Sequence, residues 1–181
     1  TGILDEVYEQ QSGTAGVNRT MPVMDYVIEC SNRLWGCRHG MTGGEMINEI
    51  YASALGDFKN WRRYGTEAGD SYAMSCGTEG DFTGAINYRG YPVFFKENWC
   101  YKIYGEKPSN YQAQIQQLEG VKDGCSKSLQ TVNGSMFYCG RNGINLLDSM
   151  PTDYSEQLGN RRWRNAVAGE WDYRYYISMQ D

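Results

Sequence analysis

The side chains best suited to binding are acidic, and they lie in two look-alike loops. Gly65-Thr66-Glu67-Ala68-Gly69-Asp70 is echoed by Gly77-Thr78-Glu79-Gly80-Asp81. Glu67, Asp70, Glu79 and Asp81, with threonine hydroxyls and loop carbonyls beside them, make the hard-oxygen set that Ca²⁺ selects. EF-hand spacing is absent, and Gly, Asp and Thr also build ordinary solvated turns. The same carboxylates could serve as the paired acids of a glycosidase. No cofactor other than Ca²⁺ is expected.

Cysteine chemistry is the second candidate. Cys30, Cys37, Cys76, Cys100, Cys125 and Cys139 form no Cys-x-x-Cys, and His39 is the sole histidine. Zinc patterns therefore fail on spacing and on count. An even cysteine count favours disulfides, which need an oxidising compartment. Neighbour pairs are expected: Cys30–Cys37, Cys76–Cys100 and Cys125–Cys139. That pairing leaves no thiol for a Cys37–His39 nucleophile and base. No Gly-x-Ser-x-Gly elbow is present either. No catalytic residue is assigned, and the expectation leans away from an enzyme.

Two basic-aromatic clusters stand on an acidic background: Trp61-Arg62-Arg63-Tyr64 and Arg161-Arg162-Trp163-Arg164. Arg beside Trp can hold an anion, stack on a ring or anchor a protein interface. Arg62 and Arg63 would also serve a helix C-terminus. Arg161 to Arg164 has no such local use and is the better interface candidate. Acidic loops on one copy could meet arginines on another, which suggests self-association. Tyr88, Tyr91, Tyr101, Tyr104, Tyr138, Tyr173, Tyr175 and Tyr176 could stack on sugar or simply form cross-strand pairs. The net charge of -5 argues against nucleic acid as a partner. The apolar runs are far shorter than the ~20 residues a spanning helix needs.

These groups need elements to carry them. Ile3, Leu4 and Val7 suggest a short helix, and residues 10–17 a linker. Thr20 and Pro22 open a second helical pattern through Val23, Met24, Val27, Ile28, Leu34 and Trp35, closed at Gly36. Thr42 and Glu45 have capping-box spacing. Ile47, Ile50, Tyr51, Ala54, Leu55, Phe58 and Trp61 then predict one long amphipathic helix ending at Gly65. From Ala85 to Tyr104 the pattern predicts a three-stranded meander turning at Arg89-Gly90 and Glu97-Asn98. Ser109 to Gly120 reads as a short helix. Asn133-Gly134 predicts a tight hairpin, in competition with the glycosylation sequon Asn133-Gly134-Ser135; Asn18-Arg19-Thr20 is a second sequon. Trp171 to Met179 reads as a closing strand.

The expected fold is one disulfide-tied α+β domain over residues 1–181, with N-terminal helices on a mainly antiparallel sheet and 1–19 as an arm. In layout alone this is similar to the globular part of type IV pilin-like subunits. The hydrophobic N-terminal helix of that family is missing, and no family is assigned. The chain opens at Thr1 with no signal peptide, which leaves a removed leader or anchor open. The function expected is that of an exported structural or interaction protein, extracellular, at the cell surface or periplasmic. Its partners would be itself or other surface proteins, as in a filament or appendage. The alternatives are a secreted, Ca²⁺-assisted glycan-binding module and a small secreted hydrolase working through carboxylates.

Overall fold

The computed structural model describes residues 21–61, 65–148, 151–155 and 162–180. They form fourteen strands in four antiparallel sheets, and the longest helical turns among them are two 3-10 segments of three residues. The first sheet runs β1 (Tyr26–Cys30), β2 (Arg33–Thr42), β3 (Glu45–Ala52), β4 (Tyr72–Ser75). The second runs β5 (Phe82–Tyr88), β6 (Tyr91–Lys96), β7 (Trp99–Tyr104), β8 (Gln112–Gln117). The third runs β9 (Gln130–Val132), β10 (Ser135–Cys139), β11 (Ile144–Leu147), β12 (Pro151–Asp153), and the fourth pairs β13 (Arg164–Trp171) with β14 (Arg174–Gln180). Strands follow one another in sheet order, so each sheet is a simple antiparallel meander.

Each sheet opens on the same device. The first two strands are joined by two residues that both take positive φ: Ser31-Asn32 (53° and 58°), Arg89-Gly90 (53° and 80°), Asn133-Gly134 (48° and 80°) and Asp172-Tyr173 (49° and 58°). This is the type I′ turn, whose twist matches that of the flanking strands. It aligns the second strands residue by residue. Trp35-Gly36-Cys37, Val93-Phe94-Phe95, Phe137-Tyr138-Cys139 and Tyr176-Ile177-Ser178 occupy equivalent places. In the first two sheets these triplets are wholly buried, and in the third only Phe137 is partly open. In β14 all three are at least partly open.

The α+β expectation is therefore wrong, and the sheet explains why. Thr42 and Glu45 flank Gly43-Gly44, both at positive φ (61° and 88°), so the apparent capping box is a hairpin turn between β2 and β3. The long "helical" stripe arises because Ile50, Tyr51 and Ala52 are all buried. A strand covered on both faces loses its period of two and can imitate a helix. Val27 and Ile28 belong to β1, which pairs with β2, and the segment after Ser109 forms a 3-10 turn and β8. The layout similar to pilin-like subunits disappears with the helices. The meander over Ala85 to Tyr104 and the Asn133-Gly134 hairpin are present as expected. The closing strand is instead a hairpin broken at Asp172-Tyr173. The short helix at Ile3, the linker, the 1–19 arm and the Asn18 sequon lie outside the described residues. No helix among the described residues is long and apolar enough to cross a membrane.

Nor is the fold disulfide-tied: no two cysteine sulfurs stand at bonding distance. In the β1–β2 register Cys30 faces Arg33 and Cys37 faces Tyr26. That puts the two cysteines about four residues, or ~13 Å, apart along the ladder, beyond the reach of a disulfide. Cys125 and Cys139 are hydrogen-bonding neighbours as thiols. All six cysteines are buried and act as small apolar side chains.

The described chain divides into two compact units. The first holds residues up to Gly77 with Ile103–Ala113, and the second holds Thr78–Lys102 with Gln114–Asp181. In the first, Tyr111 packs edge-on against Trp35 and Tyr72, which tilt against each other, with centroids 5.0–6.2 Å apart. Arg33 is buried beside them, and its guanidinium donates to the carbonyls of Ser53 (2.7 Å), Asp70 (2.6 Å) and Ala68. In the second unit, Val93, Phe95, Cys100, Met136, Tyr138 and Cys139 lead a continuous apolar core.

Candidate functional site

The four predicted metal ligands fall in two different compact units. Glu67 and Asp70 belong to the first unit, Glu79 and Asp81 to the second. Asp70 is buried and closes its own loop, its Oδ2 accepting from the Glu67 N–H at 3.1 Å. Glu79 and Asp81 instead line a pocket of about 280 Å³ together with Gly80, Thr83, Glu97, Asn98 and Asp123. Glu97-Asn98 is the turn between β6 and β7. Asp123 is set against it by its own N–H, which donates to Glu97 Oε1 at 3.3 Å. Among the described residues, no three His, Cys, Asp or Glu side chains converge as metal ligands. Sequence reasoning missed Glu97 and Asp123 because each sits in a separate short turn far along the chain.

The cysteine-nucleophile geometry is not assembled. Cys37 is fully buried in β2, and the His39 backbone N–H donates to Asp25 Oδ2 at 2.9 Å. Burial pushes the Cys30 thiol up, and it raises Cys100 and Cys139 to about 12. For Cys139 the neighbouring Cys125 thiol adds to the shift. Thiols held protonated in this way are poor nucleophiles.

The basic-aromatic clusters separate by role. Trp61 is wholly buried, its Nε1 donating to the Phe58 carbonyl at 2.6 Å, so it is a core residue and not an anchor. Arg62, Arg63 and Arg161 lie outside the described residues. Trp163 is half-buried against the second core, and its carbonyl accepts from Lys122 Nζ at 2.5 Å. Arg162 and Arg164 are exposed. The tyrosines are scattered too. Tyr88, Tyr101 and Tyr138 are core residues, while Tyr173 and Tyr176 are open.

Among the described residues, an exposed aromatic surface lies on the β13–β14 hairpin. Directly opposed residues share a face, and the register pairs Trp171 with Arg174, Gly169 with Tyr176 and Val167 with Ser178. Trp171 is 72% exposed, Tyr176 49% and Val167 50%. The opposite face is anchored: Tyr175, Ile177 and Met179 pack on the core, Phe137 and Tyr175 stack at 5.2 Å, and Tyr175 Oη donates to the Ser128 carbonyl at 2.7 Å. Trp171 and Val167 were not singled out from the sequence; the Asp-Tyr turn that aims them is not a familiar hairpin signal. A second opening of about 470 Å³ in the first unit is lined by Leu34, Leu55 and Phe58 with Glu29 and Arg33. Its guanidinium is already engaged by the three carbonyls. No protein-family model matches this chain, and no curated protein is significantly similar to it.

Proposed function

We propose that this chain is a structural, interaction-type protein that associates with further copies of itself through the β13–β14 hairpin. One observation carries the reading: a rigidly anchored sheet presents Val167, Trp171, Tyr176 and Arg174 on one open face. Trp, Tyr and Arg are the residues that dominate interface energetics, and an exposed apolar face of this kind marks a contact surface. The hairpin supports it further. β14 has one strand neighbour among the described strands, whereas its counterparts β2, β6 and β10 each have two. Export to the cell exterior remains part of the proposal, but the cysteines, unbonded here, no longer support it.

The test is the state of association of the purified full chain, followed by sedimentation velocity and electron microscopy over a concentration series. Oligomers or polymers that dissociate in Trp171→Ser are the expected result. A chain that stays monomeric at high concentration would overturn self-association. Binding of Trp171 and Tyr176 to oligosaccharides by a monomeric chain would favour the glycan-binding alternative.

A further inference from the structure

The pocket between Glu79, Asp81, Glu97 and Asp123 has a second feature that its charge does not explain. Thr83 lines it, is 2% exposed, and its Oγ1 has no hydrogen-bond partner. A buried hydroxyl left unpaired is unfavourable, because it has given up water without gaining a partner. The backbone places it there on purpose of geometry: Phe82 pairs with Lys96 and Gly84 with Phe95, so Thr83 is the extra residue of a β-bulge. Bulges re-aim side chains, and they gather beside binding sites.

The walls are held by backbone contacts. Gly80, at φ 87°, turns the Glu79–Asp81 loop into β5. The Glu97 carbonyl accepts from Gly120 at 3.0 Å and the Asn98 carbonyl from Leu118 at 3.1 Å. Four carboxylate residues thus line one pocket, and no basic residue lines it with them. Two cations next to the pocket have partners of their own, one of them the lining residue Asn98. Lys96 Nζ, buried, donates to the Thr78 carbonyl at 2.8 Å and lies over the Phe82 ring, and Arg141 Nη2 donates to Asn98 Oδ1 at 2.8 Å. A cleft lined by one sign of charge concentrates counter-ions.

We infer that this pocket binds an organic cation, an ammonium or guanidinium group, whose N–H donors meet the carboxylates and the Thr83 hydroxyl. The carboxylates do not converge as a metal cage would, and the volume exceeds that of a bare ion. A ligand that carries its own N–H groups satisfies both the charge and the acceptor. It could be a free polyamine or the side chain of a lysine or arginine. The inference stands apart from self-association at β13–β14.

The test is a titration of the ¹⁵N-labelled full chain at constant ionic strength with spermidine, with an acetylated and amidated Gly-Arg-Gly peptide, and with CaCl₂. Saturable shifts of the Gly80, Thr83 and Asn98 amides are expected with at least one organic cation. Spermidine alone would identify a polyamine site, and the peptide alone a side-chain site. Glu79→Gln with Asp123→Asn should weaken binding about tenfold, and Thr83→Val about fivefold. Shifts with Ca²⁺ but with neither organic cation would overturn the proposal in favour of a metal site. No saturable shift with any of the three would remove the site altogether. The wild-type titrations decide the matter even if a variant does not fold.

Discussion

Arg33 Nη1 donates to the carbonyl oxygen of Asp70 at 2.6 Å, joining residues 37 positions apart in the chain. The same nitrogen reaches Ser53, and Nη2 reaches Ala68. A planar guanidinium presents its donors in a fixed fork, which is what allows one side chain to gather three carbonyls. The Glu67–Asp70 loop is thereby a structural clasp of the first unit, where the sequence suggested a metal loop.

Arg33→Lys keeps the charge and loses the fork. It should lower stability by about 2–3 kcal/mol, because an ammonium cannot reach all three carbonyls and leaves buried acceptors unpaired. Urea unfolding of the two proteins checks this. Equal midpoints would show that the clasp contributes nothing.

Tyr173 separates stability from contact. It sits at φ 58°, where glycine is more comfortable than tyrosine, and its side chain is 77% exposed. Tyr173→Gly should therefore raise stability by about 1 kcal/mol. If the hairpin is the association surface, the same variant should also assemble less readily. A gain in melting temperature with unchanged sedimentation would place Tyr173 outside the interface.

The buried thiols set a pH limit. Cys100 and Cys139 are raised from 9.0 to about 12, so the folded protein holds their protons more tightly than the unfolded chain does. Their contribution to stability is complete below pH 9 and is lost as pH rises towards 12. Alkaline unfolding monitored by near-ultraviolet circular dichroism should begin in that window. At pH 8 a thiol reagent should leave the native chain unlabelled and react once it is unfolded in urea. Rapid labelling of the native protein would contradict the burial.

Local chemistry was legible where a turn announces itself. Arg89-Gly90 and Asn133-Gly134 marked their hairpins because glycine and asparagine accept positive φ without help from distant residues, and Glu97-Asn98 marked its own as a polar break between two apolar runs. The helical readings failed for the converse reason. Ile50, Tyr51 and Ala52 are apolar in succession because both faces of β3 are covered at this end of the strand, and that fact belongs to packing and not to the segment itself.

The two candidate surfaces divide along the same line. The sequence by itself determined the acidic character of Glu79 and Asp81, the turn that opens three of the hairpins, and the aromatic wealth of the last dozen residues. Only the tertiary structure decided that Glu79 and Asp81 join Glu97 and Asp123, and that a bulge turns Thr83 among them. It alone decided that Trp171 and Tyr176 share an open face while Tyr138 is core and Cys30 faces Arg33. The physical reason is register. Each strand's residues alternate between faces, and which face is covered depends on partners tens of residues away, whose pairing no local pattern records.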